Sequence, residues 1–570
     1  MLVKLLVLLV MLLLPLTTAY AIYDPFSVPN NKFGIHIADT NNIPEVAPLV
    51  NSSGGDWGYV TLVIHEDDRD IGKWQGVFNQ MRRLHLIPLL RLATRVDGDR
   101  WIKPEEKTVA DWVAFLDKLN WPIKNRYVIL FNEPNHANEW GGSVSPEDYA
   151  QIALLFTQKL KQASDDFFVL PAGLDVSAVS DKNSLDAAVF LRRMIKAAPD
   201  FLNLIDGWTS HSYPNPDFSG TPYEIGRGTL RSYEWELTSL RQLGLTRNLP
   251  VFITETGWLH SEGKLPNPGL LSPTLVGQNL QLAATLVWQD NRIVAVTPFV
   301  FSYQDLPFDH FSWKKIGVND YYPQFASYQT IGKIRGLPLQ IQKFSFTSPL
   351  VPGTLVADSA YSLATGIIND GQSILSAKDQ YELNFKSSSE SFTALFDAVS
   401  AIEPGETGNV SLHLKIPRQP GNYHISVALR YPHGGITLEE KDIMVVPPPA
   451  LAVQVRLGWR ISGSAADTTI LVYEGDKLLH KFTALTVTEG MVNVPGLTNI
   501  VPGRVYRIVA LVPNYLPRQS LVVINQKETT VTFKRFWPLD FNRDGAFSLA
   551  DLKAIFAYTP HDIVGLFIGQ

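Results

Sequence analysis

Cysteine is missing from the sequence, although the chain has 570 residues. Its absence excludes disulfide bonds, thiolate metal sites and cysteine nucleophiles. Basic residues are not in excess either, because 49 Lys and Arg stand against 55 Asp and Glu, a formal net charge of −6. A chain without a basic field is not expected to bind nucleic acid. We therefore expect a globular protein whose apolar cores are large enough to need no covalent cross-links.

Long apolar runs are confined to the first 21 residues, MLVKLLVLLVMLLLPLTTAYA. This stretch has one lysine, an apolar centre and small residues at Ala19 and Ala21, which is the pattern of a secretory signal peptide. It predicts a secreted, extracellular protein that starts near Ile22 and has no membrane segment after cleavage. An uncleaved membrane anchor is the alternative interpretation, but the run is short for a bilayer span.

Two apolar runs end in a glutamate. Residues 128–131 have the pattern of a buried strand and are followed by Asn132, Glu133 and Pro134. Because proline cannot donate to a strand ladder, pairing stops there, and the Glu133 carboxylate lies where a loop begins. Residues 251–254 form a second such run, which Glu255 follows directly. Two strand-end carboxylates are the pair that glycosidic bond cleavage requires.

Short apolar strands alternate with amphipathic helical stretches in the N-terminal half, as in βαβ units with a parallel sheet. The pattern predicts eight strands, at residues 33–37, 57–64, 87–93, 127–131, 168–172, 205–211, 251–254 and 295–302. Eight is the number of strands in a closed (β/α)8 barrel, or TIM barrel. We expect this barrel over residues 22–336, with both glutamates at the C-terminal ends of its strands.

The strings FNEPNH and ITETGW stand at the ends of the fourth and seventh predicted strands. In these places the chain resembles the clan A retaining (β/α)8 glycoside hydrolases, with similarity to families 5, 39 and 17. The resemblance implies that Glu133 is the acid/base and Glu255 the nucleophile of a double displacement, with no cofactor for catalysis. It implies a polysaccharide or oligosaccharide substrate with β-glycosidic bonds, and leaves cellulose, mannan, xylan and β-1,3-glucan open.

The same resemblance assigns substrate-binding roles to side chains near the two glutamates. It implies that Asn132 bonds the sugar 2-hydroxyl, and that Tyr213 and His211, from the string GWTSHSYP, support the nucleophile. Arg91 ends a third-strand run, LIPLLR, and is expected to keep the Glu255 pKa low, although resembling families often carry such an arginine one strand earlier. The alternatives are that Tyr213 is only packed, that His211 is a strand-end histidine with its hydrogen bonds satisfied, and that Arg91 forms a structural ion pair in the barrel.

Four aromatic residues are predicted at or near strand C-ends, where a flat ring can stack on a sugar face. They are Trp140, Trp258, Tyr303 and Trp313. Packing between barrel and helices is the alternative for each. Resembling enzymes often have a tryptophan after the eighth strand, whereas FVFSYQD offers Tyr303 there.

Helical spacing disappears after about residue 337, and alternating strands with turn signals take its place. We predict an immunoglobulin-like β-sandwich at residues 337–446 and a second β-sandwich module at 450–536. The three prolines at positions 447–449 lie between them as a stiff spacer. The two modules match sandwiches only by pattern.

The last segment, residues 537–570, contains DFNRDGAFSLAD. Its spacing is typical of an EF-hand-like calcium loop, with oxygen ligands expected from Asp540, Asn542, Asp544, the Ala546 carbonyl and Asp551. It resembles one repeat of a dockerin, which implies structural Ca²⁺ and a cohesin-like or intramolecular partner. A second repeat is not found in the sequence, and a chance surface loop is the alternative.

Two other functions fit the same sequence. A carbohydrate-binding or scaffold protein could use the barrel without turnover, although the presence of both glutamates argues against this. A transglycosylase would use the same two carboxylates and differ only in whether sugar or water captures the glycosyl intermediate.

Overall fold

A computed structural model describes residues 22–432, 434–460 and 463–568. The predicted signal peptide at residues 1–21 lies outside the described residues. The chain divides into two units. The first comprises the chain up to Gln342 together with the short segment Gly371–Ile374. The second comprises Lys343–Asp370 and the chain from Leu375 onward. Among the described helices, none combines the length and apolar character that a membrane span requires.

The described strands of the first unit are short, and eight of the ten are buried and parallel. In chain order these eight are β1 (Gly34–Ile37), β2 (Gly58–His65), β3 (Leu86–Ala93), β6 (Arg126–Leu130), β7 (Phe167–Pro171), β8 (Trp208–His211), β9 (Val251–Glu255) and β10 (Ile293–Val296). The other two, β4 (Val96–Asp97) and β5 (Arg100–Trp101), form an antiparallel hairpin. The orders β1-β2-β3-β6-β7 and β10-β9-β8 form two parallel sheets. Parallel bridges Phe33–Val296 and Asp175–His211 join the edges of these sheets.

Helices follow most of these strands and bury their apolar faces. They are α1 (Ile43–Val50), α2 (Ile71–Arg83), α3 (Val109–Lys118), α4 (Pro146–Ala163), α5 (Ala187–Ala197), α6 (Phe201–Leu204), α7 (Ser232–Gln242), α8 (Pro273–Leu286) and α9 (Pro323–Gln329). In α3, Trp112 and Leu116 are fully buried at helical spacing. Replacing a buried ring such as Trp112 by alanine costs about 3–5 kcal/mol. This core fixes the strand ends on which the site is built.

Two predicted strands differ from the observed ones. The sixth begins at Trp208 rather than at 205, because α6 ends only at Leu204. The eighth runs over Ile293–Val296, not 295–302. Residues 297–302 form a loop, and not a strand. The apolar side chains of Val300 and Phe301 are buried within this loop.

The described residues of the second unit form four antiparallel or mixed sheets. Their strands are β11 (Phe344–Phe346), β12 (Thr354–Val356), β13 (Ala360–Asn369), β14 (Glu382–Ser387), β15 (Thr393–Phe396), β16 (Thr407–Lys415), β17 (Gly421–Tyr431), β18 (Gly434–Val446), β19 (Ala450–Gln454), β20 (Ala465–Glu474), β21 (Lys477–Val487), β22 (Met491–Val494), β23 (Val505–Leu511), β24 (Arg518–Val523) and β25 (Glu528–Thr532). The sheet orders are β11-β13-β16-β15, β12-β18-β17-β14, β22-β19-β25 and β21-β20-β23-β24. Alternate residues of β13 are buried, as expected for a strand with one face in a core.

The first and second pairs of sheets contact each other within this unit. The Tyr361 hydroxyl donates to the Ile500 carbonyl at 2.7 Å, and Val356 belongs to the apolar core of the later strands. Two short helices, α10 (Leu549–Ile555) and α11 (Pro560–Ile568), follow the last strand. The prediction of a multidomain chain with an N-terminal α/β region and sheet-rich C-terminal domains is confirmed.

Candidate active site

Glu133 and Glu255, the acidic pair, occupy the C-terminal ends of two parallel strands. β6 ends at Leu130, and the next residues leave strand geometry, with left-handed backbone at Phe131 (φ 73°) and Glu133 (φ 27°). The Glu133 N–H donates to the Gly173 carbonyl at 3.1 Å, which holds this turn in place. Left-handed backbone at residues other than glycine is strained and concentrates at functional sites.

One carboxylate oxygen of Glu133, one of Glu255 and a ring nitrogen of His211 all lie within 4.8 Å of one another. His211 Nδ1 is 2.7 Å from Glu133 Oε1 and 3.7 Å from Glu255 Oε2. The imidazole therefore stands between the two carboxylates. Burial works against a charged imidazole, but Glu255 and the hydrogen bond to Glu133 outweigh it and raise the pKa of His211.

Gly173 makes room for this imidazole. A Cβ at position 173 would lie 2.2 Å from His211 Cδ2 and 2.4 Å from Nε2, distances at which atoms overlap. The ring is also buried, with 3% of its residue surface exposed. Any side chain at 173 would therefore push the imidazole away from both carboxylates.

Glu255 has two more polar partners. Arg91, from β3, donates through Nη1 to Glu255 Oε1 at 2.6 Å, and the Tyr213 hydroxyl donates to Oε2 at 3.1 Å. Burial opposes ionisation of Glu255, but the positive charges of His211 and Arg91 outweigh it and lower its pKa to about 2. A buried carboxylate held ionised at neutral pH is suited to act as a nucleophile.

The acidic pair and His211 are also close enough to serve as metal ligands. The Arg91 guanidinium, however, already supplies positive charge to Glu255 at 2.6 Å. A metal ion bound by Glu255 would lie close to this fixed cation. Glu133, His211 and Glu255 are therefore better suited to act as a carboxylate pair with a histidine than to bind a metal ion.

Asn132, which precedes Glu133, has both ends of its amide bonded. Its Oδ1 accepts from Arg91 Nη1 at 2.7 Å, and its Nδ2 donates to Glu139 Oε2 at 3.3 Å. Burial and the negative charge of Glu133 raise the pKa of Glu139 to about 7. Glu139 lies in a 3-10 turn, Ala137–Glu139.

Sequence reasoning missed three residues near the acidic pair, which are Glu139, His36 and His136. His36, on β1, is 2% exposed, has Nε2 4.0 Å from Glu255 Oε1, and forms no hydrogen bond through either ring nitrogen. Burial and the charge of Arg91 lower the pKa of His36 to about 3. His136 bonds Asp175 at 3.0 Å. The strand-end rule that selected Arg91 would have selected His36, whereas nothing in the sequence pattern singles out Glu139.

The aromatic residues expected to stack on sugar lie in different surroundings. Trp140, Trp258 and Trp313 are 1–3% exposed, and the indole N–H groups of Trp140 and Trp258 donate to Asp148 and the Gly220 carbonyl. Such burial favours the packing alternative for these three. Tyr303 is half-buried and meets Phe308 edge-on, with ring centroids 5.3 Å apart. Sugar stacking at these positions stays a prediction.

The predicted calcium loop, residues 540–551, brings its acidic side chains together. One carboxylate oxygen from each of Asp540, Asp544 and Asp551 lies within 4.8 Å of the others. Asp540 and Asp551 are buried, and among the described residues no ion pair involves any of the three. Asn542 donates to Asp544 at 2.6 Å, and Gly545, at φ 88°, allows the turn. Three close carboxylates without a basic partner are the donor set that Ca²⁺ prefers.

A scan against known protein families and a search of curated proteins find no match for this chain. Solved structures that are similar include a family 39 glycoside hydrolase from the gut symbiont Bacteroides cellulosilyticus WH2, with 13% identity, a TM-score of 0.38, and 69% of this chain and 82% of that chain covered. An endo-1,4-beta-mannanase from Eisenia fetida has 11% identity and a TM-score of 0.33, covering 53% and 90%. The BuGH86 protein, solved with neoagarooctaose, has 11% identity and a TM-score of 0.32, covering 76% and 83%. These structural neighbours are glycoside hydrolases, but at such scores they do not by themselves indicate an activity for this chain.

Proposed function

We propose that the first unit is a (β/α)8 barrel that hydrolyses β-glycosidic bonds in a polysaccharide or oligosaccharide with retention of configuration. The observation that carries the proposal is the acidic pair: two strand-end carboxylates with oxygens within 4.8 Å, one of them held ionised by Arg91 and His211. Retaining enzymes separate their carboxyl groups by about 5–5.5 Å, and inverting enzymes by about 6.5–9.5 Å. The barrel is supported by eight parallel strands in two sheets. Parallel bridges join each edge of one sheet to an edge of the other.

In the first step, Glu255 attacks the anomeric carbon while Glu133 donates its proton to the leaving oxygen. The bond to the leaving sugar breaks as the bond to a Glu255 oxygen forms. Arg91 and Tyr213 hold the attacking carboxylate in a single orientation through both of its oxygens. Asn132 lies next to Glu133, where the resemblance places the sugar 2-hydroxyl.

In the second step, Glu133 is a carboxylate and removes a proton from water, which attacks the anomeric carbon and releases Glu255. The imidazole of His211 stabilises the charged form of Glu133 through its 2.7 Å contact. Because it also lies 3.7 Å from Glu255, it can compensate whichever carboxylate carries the charge. The same arrangement serves both half-reactions.

The test is hydrolysis of β-glucans, mannans and xylans by the mature protein and by Glu133→Gln, with the anomer of the first product read by NMR. We expect a wild-type activity that the variant loses, and a product of retained configuration. An inverted product would refute the retaining mechanism. Sugar binding without any turnover would support a non-catalytic carbohydrate-binding or scaffold protein, and new oligosaccharides formed with an added acceptor would indicate a transglycosylase.

For the second unit, we propose that residues 540–551 bind structural Ca²⁺ through Asp540, Asn542, Asp544, Asp551 and the Ala546 carbonyl. Asp540 and Asp551 are buried and have no basic partner within the part of the chain that the structure describes, which supports this, because a buried charge needs compensation. The two sheet pairs are proposed to be β-sandwich modules, the first immunoglobulin-like. Docking of the calcium segment to a cohesin-like or intramolecular partner, and secretion through residues 1–21, complete the proposal.

A further inference from the structure

The amide of Asn132 is held between two charged side chains of different strand ends. Its oxygen accepts from Arg91 and its nitrogen donates to Glu139, so an inverted amide would place an oxygen against a carboxyl oxygen and a nitrogen against a guanidinium. Arg91 and Glu139 therefore decide together which way the amide points. Because Asn132 and Glu133 are consecutive, a change in the orientation of one residue affects the position of the other.

Glu139 is carried by a turn with little freedom. The Glu139 N–H donates to the His136 carbonyl at 3.2 Å, and the N–H of Ala137 donates to the Asn183 carbonyl at 2.7 Å. Directly afterwards, Gly141 donates to the Trp101 carbonyl of β5 at 2.9 Å. The carboxyl is thus fixed relative to Asn132.

The charged groups that act on Glu139 come from several elements. Glu133 and His136 lie on the same loop, Arg91 comes from β3 and Glu255 from β9. On the β5 side, Lys103 bonds Asp148 rather than Glu139, at 3.2 Å. Burial and the negative charge of Glu133 outweigh the positive charge of Arg91 and the hydrogen bond from Asn132, so the pKa of Glu139 is raised.

We propose, on the basis of the proposed glycosidase function, that Glu139 is a positioning residue for Asn132. Together with Arg91 it fixes the orientation of the Asn132 amide. Nothing requires Glu139 to touch the substrate, because it acts through the hydrogen bond that it accepts from Asn132.

Two substitutions test this role. In Glu139→Gln, the side-chain oxygen still accepts from Asn132, so we expect kcat/KM to stay within about twofold of wild type. In Glu139→Ala, the acceptor is lost, and kcat should fall about tenfold, more than KM rises. Glu147→Ala, at an exposed carboxyl paired with Arg193, is the control and should leave kcat and KM unchanged.

A measurement without substrate keeps this inference separate from the proposed function. Infrared spectra recorded against pH, taken as wild type minus Glu139→Gln, isolate the Glu139 carboxyl. We expect it to titrate near pH 7, and at higher pH when Asn132→Ala is the background in both proteins, because the hydrogen bond from Asn132 lowers the pKa of Glu139. An unshifted titration, or a kcat of Glu139→Ala equal to that of wild type, would overturn the proposal. If no sugar is hydrolysed but the infrared shift is found, the hydrogen bond between Asn132 and Glu139 stands and the glycosidase function fails.

Discussion

Among the described residues, each unit has one cluster in which acidic side chains bring ligand oxygens within 4.8 Å, and the polar partners of the two clusters differ. The acidic pair of the first unit has positive side chains of its own, Arg91 and His211. In the calcium loop of the second unit, the carboxylates receive backbone N–H groups and the amide of Asn542. Close spacing of carboxylates alone therefore does not separate the proposed catalytic pair from the proposed calcium site. Among the described residues, the two clusters differ in whether basic side chains contact the carboxylates.

The largest effect in this comparison is expected at the nucleophile. Glu255→Ala should lower kcat/KM on the order of 10⁴-fold, because the proposed covalent intermediate forms on the Glu255 carboxylate. Added azide should restore turnover and give a glycosyl azide of inverted configuration, identified by NMR. Activity equal to wild type would show that Glu255 is not the nucleophile.

Arg91→Met removes the cation that distinguishes the acidic pair from the calcium loop. We expect kcat/KM to fall about 100-fold, since a buried charge is left without its partner. The pKa of Glu255, now about 2, should rise toward its ordinary 4.5, so the acid limb of the rate profile moves to higher pH.

Glu255 also links this substitution to stability. A depressed folded-state pKa means that its ionisation stabilises the fold above pH 4.5, and this contribution disappears as pH falls toward 2. In Arg91→Met the contribution is smaller, because the folded and unfolded pKa values lie closer together. Thermal melts at pH 3 and pH 7 should show a smaller difference between these pH values in the variant, and an undiminished difference would contradict the role of Arg91.

The calcium loop should respond to metal, and the acidic pair should not. Saturating Ca²⁺ is expected to stabilise the second unit by about 3 kcal/mol at a hundredfold excess over Kd, seen as a higher melting temperature that chelator reverses. Asp540→Asn together with Asp551→Asn should remove this response. Hydrolysis rates at 25 °C should be the same with calcium and with chelator, and a loss with chelator would place a metal in the catalytic unit.

The smallest expected effect is that of Tyr213→Phe. The variant loses one hydrogen bond to Glu255 while Arg91 and His211 remain, so kcat/KM should fall about tenfold. Steady-state kinetics of Tyr213→Phe and Arg91→Met, measured under the same conditions, show which variant loses more kcat/KM. A larger loss in Tyr213→Phe would mean that the hydroxyl, and not the cation, is the main support of the nucleophile.

The strand ends of the acidic pair were predictable because an apolar run that stops at a polar residue marks where a buried strand leaves the core. Arg91 also follows an apolar run, but β3 continues beyond it to Ala93. Glu139 could not be predicted, since it lies in a 3-10 turn with no apolar period and is brought to Asn132 only by tertiary structure. The eighth strand was misplaced because an apolar run does not show where backbone pairing ends and loop packing begins.

Among substitutions at positions that carry no reactive group, those at Gly173 have an unusual consequence. The space that a methyl group would fill there is occupied by the imidazole of His211. In a saturation library selected for activity, this position should reject every replacement, with Gly173→Ala already inactive although the protein still folds. The map of tolerated residues would thus mark the site at a place where no side chain exists.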